Sequence, residues 1–222
     1  MNDEKTVEIY YDHYKDTFTY LRTYISSRDT TFYITLGLLI LVFFQSNNPS
    51  VTEKISVDLV NKNLGNNVSI DINFINSLLL FVFLSLIIKY FQLNLLIERQ
   101  YIYLHSIEDE LTKRLILKIS REGKNYVDEY PFVSWVIHRV YTILFPIILI
   151  IILIRKFNAE VKFFGDDWRN GYFIFDTIIL LFILLITLAY VSWTRFNDFK
   201  KSKKPKNSEV LEAPEVLQAP KE

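Results

Sequence analysis

Four long apolar blocks alternate with charged connectors along the chain. The blocks cover residues 32–44, 74–88, 140–154 and 172–193. A helix needs about 20 predominantly apolar residues to cross a bilayer, and the uninterrupted apolar core of each block is shorter than this, so each span must include some less apolar residues. We place the spans at residues 30–46, 74–96, 135–155 and 172–194. The pattern predicts an all-α membrane protein with four transmembrane helices and cytoplasmic helical extensions.

The first 31 residues carry apolar side chains at alternating spacings of four and three. These are Val7, Tyr11, Tyr14, Phe18, Leu21 and Ile25. This spacing predicts an amphipathic helix over residues 1–31 with one face that needs a partner. We expect it to pack on a second cytoplasmic helix or to lie on the lipid headgroups, because its aromatic content and short length disfavour a free coiled coil.

The apolar pattern of the second span continues without Gly or Pro through Glu122. One helix should therefore run out of the membrane into the cytoplasm. Gly123 ends this pattern, and Tyr130-Pro131 leads back toward span three. Residues 97–134 are thus predicted to be a cytoplasmic helix with a return loop.

Turn residues and short alternating stretches mark the two outer connectors, residues 47–73 and 156–171. Ile55–Val60 and Val68–Ile72 flank Gly65-Asn66-Asn67, which predicts a short β-hairpin, and 160–164 could add a strand. We interpret these segments as a small outer cap. An outer ligand site is the alternative.

The distribution of Lys and Arg predicts the orientation. The N-terminal segment, the middle connector and the tail hold 17 of these residues, against 6 in the two outer connectors. Positive residues concentrate on the cytoplasmic side, so both termini should be cytoplasmic. The tail, 195–222, begins with a lysine-rich segment suited to anionic inner-leaflet lipid and ends in an acidic, proline-punctuated repeat that we expect to be disordered. The lysines are Lys200, Lys201, Lys203, Lys204 and Lys206.

Composition narrows the chemistry. The chain has no cysteine, which excludes disulfides, thiolate metal sites and cysteine nucleophiles, and its formal net charge of zero argues against nucleic-acid binding. No catalytic constellation or cofactor motif is recognisable. We therefore expect no enzymatic activity, no cofactor and no bound metal.

The middle connector contains the densest mixture of aromatic, acidic and basic residues. Its candidates for docking a cytosolic protein or signal molecule are Arg99, Tyr101, Tyr103, His105, Glu108, Asp109 and Glu110. An ordinary solvated helix face with i,i+3 and i,i+4 ion pairs is the plainer interpretation. His105 with Glu108 or Asp109 supplies two ligands, which is too few for a metal site.

Four ionisable residues lie at the edges of the apolar blocks. Lys89, His138 and Arg139 are expected at the inner leaflet, within a collar of ion pairs and lipid phosphates. Asp176 lies near the outer end of span four. A carboxylate there is costly in lipid, so it should face another helix, the outer cap or a water path.

Two stretches carry a resemblance. Residues 10–44, with Tyr14-Lys15-Asp16-Thr17-Phe18 and Arg28-Asp29, together with 97–101 after span two, resemble small four-span membrane proteins of bacterial phage-defence loci. The resemblance covers about half the chain and includes no catalytic signature. It implies a protein of the bacterial inner membrane that oligomerises and senses or acts with a cytosolic, co-encoded partner.

Three functional hypotheses follow. The first is a non-enzymatic membrane subunit that couples cytoplasmic helices to the spans. The second is an ion channel or membrane-permeabilising protein that acts alone. The third is an enzyme acting on lipid at the inner interface, for which Glu98, His138 and Arg139 would be the ingredients.

Overall fold

The computed structural model describes residues 3–64, 71–115, 136, 139–165 and 167–202. These residues are almost entirely helical. The helices are α1 (Asp3–Asn47), α2 (Pro49–Leu64), α3 (Ile72–Leu115), α4 (Phe145–Phe164) and α5 (Gly171–Ser202), and a π-helical turn, Val140–Leu144, precedes α4. Four of them, α1, α3, α4 with its π-helical turn, and α5, contain segments long and apolar enough to cross a membrane, which agrees with the predicted number of transmembrane helices.

The helices α1 and α3 are much longer than a membrane is thick. They contain 45 and 44 residues, so each is about 66 Å long, more than twice the roughly 30 Å of a hydrocarbon core. They run antiparallel: α1 begins at the end of the bundle where α3 and α5 finish. We call this the extension end, and we call the opposite end, which holds α2 and the α4–α5 turn, the loop end.

The four long helices share an apolar core. Its fully buried members include Leu39 on α1, Phe83 and Ile87 on α3, Leu149 on α4 and Ile183 on α5. Large apolar side chains also cover the outside of the bundle. Among them are Ile34, Leu41, Phe81, Val82, Ile147, Ile151, Leu181, Phe182 and Leu185. Such a continuous apolar exterior is suited to lipid rather than to water.

Beyond this core, α1 and α3 pack against each other through a second apolar group, which we call the extension cluster. Its buried members are Tyr14 and Leu21 on α1 and Ile97, Leu104, Ile107 and Leu111 on α3. Of the two positions predicted for the N-terminal helix, packing on the helix that continues span two is the one that the structure shows. Tyr11 was wrongly assigned to the contact face, because it is 58% exposed and Tyr10 packs there instead.

The N-terminal helix and span one form a single helix, and span two continues as predicted, through Leu115. The sequence of α3 contains neither Gly nor Pro, and that of α1 contains only Gly37. Nothing in either sequence interrupts the backbone hydrogen bonds between membrane and extension. The end of the predicted helix, 116–122, and the return loop that begins at Gly123 lie outside the described residues.

The predicted strands of the outer cap are wrong where the structure describes them. Residues 55–60 lie inside α2 and residues 160–164 lie inside α4. Residues 65–70, which hold the predicted hairpin turn and part of its second strand, lie outside the described residues. The helix α4 continues nine residues past the expected end of span three at 155, because no Gly or Pro occurs before Gly165. Gly165 has a φ of 56°, a conformation that favours glycine and ends the helix, and its amide donates to the Val161 carbonyl at 3.1 Å.

Pro146 explains the π-helical turn. Proline has no amide hydrogen, and in a regular α-helix its ring collides with the carbonyl four residues earlier, here that of Thr142. The wider turn separates these groups, and the Phe145 amide donates instead to the Val140 carbonyl, five residues back. The entry of α4 into the membrane is therefore a non-α segment fixed by one proline.

Candidate functional site

The structure divides the seven predicted docking residues between two faces of α3. Arg99, Tyr103 and Asp109 are exposed, and Glu110 is partly exposed and binds Arg114 at 3.0 Å and Lys113 at 3.9 Å. These four residues share one side of the helix with Ile102. They form what we call the α3 outer face.

The other three residues turn toward α1. Glu108 is 3% exposed and accepts a hydrogen bond from the Tyr14 hydroxyl at 3.1 Å. Tyr101 and His105 are half-buried, with their ring centroids 6.2 Å apart. The assignment of Glu108 to a docking surface was therefore wrong: it lies at the interface of α1 and α3, one turn before Leu111. An i,i+3 and i,i+4 charge pattern alone does not show which acid turns inward.

The end of the membrane core nearest the extension cluster contains a group of rings that we call the aromatic joint. It consists of Phe32 on α1, Tyr90 on α3, and Tyr141 and Phe145 at the π-helical turn and the start of α4. The Phe32 ring lies 4.7 Å from that of Tyr141 and 5.2 Å from that of Phe145, and Tyr90 lies 5.2 Å from Phe145. The Tyr90 hydroxyl also donates to the Tyr141 carbonyl at 3.3 Å. Edge-to-face ring contacts of this kind fix three helix segments at one level.

An ion pair between Arg28 and Asp29 lies beside the aromatic joint. Arg28 donates through Nε and Nη2 to one carboxylate oxygen of Asp29, at 3.0 and 2.7 Å, and its guanidinium lies 5.4 Å from the Tyr141 ring centroid. Of the predicted collar residues, Lys89 is exposed and Arg139 is partly buried. His138 lies outside the described residues, as do Lys203, Lys204 and Lys206. The helix α5 extends far enough to include Lys200 and Lys201.

At the loop end the structure brings together polar residues that the sequence did not connect. Lys156 and Glu160 on α4 form an ion pair with a 2.7 Å distance, and their side chains are 6% and 9% exposed. Asp176 on α5 is 3% exposed, in agreement with the expectation that it faces the protein rather than lipid. The three residues line one cavity of about 630 Å³, which we call the loop-end pocket.

Residues of five helices line the loop-end pocket. In addition to Lys156, Glu160 and Asp176, its lining includes Gln45 and Ser46 on α1, Thr52 on α2, Asn73 and Asn76 on α3, and Phe163 and Phe164 on α4. In the sequence, Lys156 was counted among the outer-connector charges that set the orientation, and Glu160 was placed in a possible strand. Their spacing of four on an uninterrupted helix was the available signal that they could pair.

The fold and the pocket define the class: a multi-pass helical membrane protein with a paired helical extension at one end and a polar cavity at the other. Comparisons with protein-family models, with curated proteins and with solved structures give no match.

Proposed function

We propose that the chain is a non-enzymatic membrane subunit that couples a cytosolic protein to a lipid-embedded helical bundle. The observation that carries this proposal is the continuity of α1 and α3. Both helices belong to the membrane core and to the extension cluster, so a displacement of one end is transmitted along hydrogen-bonded helix to the other. The aromatic joint ties this pair to α4 at the point where the extension meets the bundle.

The partner binds, in this proposal, to the α3 outer face. This face combines exposed apolar groups, Ile102 and Tyr103, with the charges of Arg99, Asp109 and Glu110. A mixed aromatic and charged patch has the composition of a protein interface rather than that of a lipid-facing surface. Association of several copies in the bilayer is part of the proposal and rests on the resemblance. The process that we propose, anti-phage defence at the bacterial inner membrane, rests on the resemblance alone.

A permeation pathway through one subunit is the second candidate, and the core gives it less support. Between Asp176 and the extension end, the buried side chains that the structure describes are mostly apolar. The buried Thr35 and Thr187 hydroxyls donate to the carbonyls of Thr31 and Ile183, both at 2.7 Å, rather than to a polar path. Conduction would require an interface between subunits.

The orientation can be tested by single-cysteine labelling, for which the cysteine-free chain is suited. Tyr20→Cys places the thiol on the extension and Trp168→Cys places it in the α4–α5 turn, at sites 60% and 63% exposed. We expect a membrane-impermeant maleimide to label Trp168→Cys in intact spheroplasts, and Tyr20→Cys only after permeabilisation. The reverse pattern would place the extension outside and remove the basis for a cytosolic partner.

Charge reversal tests the docking face. We expect Arg99→Glu with Asp109→Lys to abolish crosslinking to the cytosolic partner, quantified by mass spectrometry in the cells that encode the chain, because interface charges set register and reject wrong partners. The matched control is Asp12→Lys with Lys15→Glu on the exposed side of α1, which also leaves the net charge unchanged. Equal loss in both variants, or in neither, would contradict the assignment of the α3 outer face.

A further inference from the structure

The loop-end pocket contains a carboxylate without a matching positive charge. Lys156 is held by Glu160, so this pair is neutral as a unit. Lys162 and Asp71 at the exposed rim carry opposite charges. Asp176 is then the one charged residue of the lining that these two pairs do not balance, so the lining as a whole carries one net negative charge.

The local bonding of Asp176 indicates a site rather than a structural contact. Its Oδ1 atom is fully buried and accepts no hydrogen bond of ordinary geometry from the described residues. The Ser77 hydroxyl on α3, which also lacks such a bond, lies close enough to act on this carboxyl. Glu160 and Lys156 lie close enough to influence the Asp176 carboxyl electrostatically, with opposite signs. Burying a carboxylate oxygen without a hydrogen bond of ordinary geometry is unfavourable, so a ligand that supplies positive charge and hydrogen-bond donors to this carboxyl would relieve the cost.

The size and lining of the pocket select the kind of cation. A volume of about 630 Å³ is typical of sites for organic molecules and far exceeds that of a bare metal ion. Within the described part of the chain, no group of three or more His, Asp or Glu residues is placed to hold a metal. The lining instead combines the Asp176 carboxylate, which is outside the Lys156–Glu160 ion pair, with amide oxygens from Gln45 and Asn76. Phe163 and Phe164 add apolar surface. Carboxylate, amide oxygens and aromatic rings are groups that bind alkylammonium ions.

We propose that the loop-end pocket binds a small organic ammonium ion through Asp176. The ammonium group donates to the Asp176 carboxylate and to the neighbouring amide or hydroxyl oxygens, and the organic part of the ligand contacts Phe163 or Phe164. The site is independent of the coupling function proposed above, because it lies at the other end of the bundle and needs no cytosolic partner.

Ligand-observed NMR on the full chain in lipid nanodiscs tests this proposal, with n-propylammonium chloride as the probe. We expect saturable binding that Asp176→Asn weakens about 10- to 100-fold, the range expected for one charge-assisted hydrogen bond. The neutral isostere 1-propanol should show no saturable binding. Sodium chloride at the same ionic strength should not displace the probe.

Two further variants separate binding from folding. Asp167→Asn removes a carboxylate from the exposed α4–α5 turn outside the pocket and should leave binding unchanged. Ala159→Phe fills the pocket without removing a polar group, so it should abolish binding. This variant keeps the proposal testable if Asp176→Asn misfolds. Probe binding that survives in Asp176→Asn and Ala159→Phe, equal competition by sodium, or no binding to the native chain would each overturn the proposal.

Discussion

Replacing Lys156 by methionine should destabilise the bundle by about 3–5 kcal/mol, the usual loss when one partner of a buried ion pair is removed. The reason is that Glu160, whose side chain is 9% exposed, would keep its charge without the Lys156 ammonium 2.7 Å away. The measurement is the free energy of unfolding of the detergent-solubilised chain in SDS titrations.

Two controls make this result specific. Lys162→Met removes an exposed lysine from the same helix and should change the free energy of unfolding by at most about 0.5 kcal/mol. The double variant Lys156→Met with Glu160→Met should recover most of the stability, because apolar replacement of a whole buried pair is often neutral or stabilising. A Lys156→Met variant as stable as Lys162→Met would show that the pair is solvated.

Replacing Leu104 by alanine should separate the extension from α1 while leaving the spans in place. Leu104 is fully buried in the extension cluster, and such a truncation costs about 2–5 kcal/mol. We expect hydrogen exchange of the amides over residues 7–21 to accelerate strongly, whereas amides over residues 34–44 keep their protection. The loss concentrates in the extension because that helix pair has few other buried contacts.

The exposed neighbour of Leu104 provides the comparison. Ile102→Ala removes a side chain that is 60% exposed on the same helix and should leave exchange in α1 unchanged. Unchanged exchange over residues 7–21 in Leu104→Ala would mean that the extension cluster does not hold α1 on α3. The coupling proposal would then lose the contact that makes the extension parts of α1 and α3 move together.

The four spans could be predicted because apolar blocks of this length have few stable positions other than a bilayer. The extension pair was predicted for the same reason, since a heptad-like seam requires a partner. Of the predicted seam residues on α1, only Tyr11 lies off the contact face. Thr17 is buried on α1, but as a polar residue it did not count in the pattern, so Tyr11 was chosen in place of Tyr10.

The loop-end pocket shows where pattern reasoning stops. Asp176 was recognised, because a lone carboxylate in an apolar block is conspicuous. The Lys156–Glu160 pair was not recognised, because charged residues that follow an apolar block are ordinarily solvated. Their burial depends on α4 continuing as a helix and on α1, α2, α3 and α5 converging around it, and neither feature is encoded in local periodicity. The inward position of Glu108 was not predicted for a similar reason, because its partner, Tyr14, is 94 positions away in the chain.

The π-helical turn sets the rotational phase of α4. Each residue of an α-helix advances the side-chain direction by about 100°, so the wide turn before Pro146 displaces every later position of α4 relative to an unbroken α-helix. With regular geometry at Val140–Leu144 and the same entry point, Lys156 and Glu160 would rotate away from Asp176 by a large fraction of a right angle or more. The placement of Lys156 and Glu160 beside Asp176 at the loop end thus depends on the helical geometry of Val140–Leu144, at the opposite end of α4.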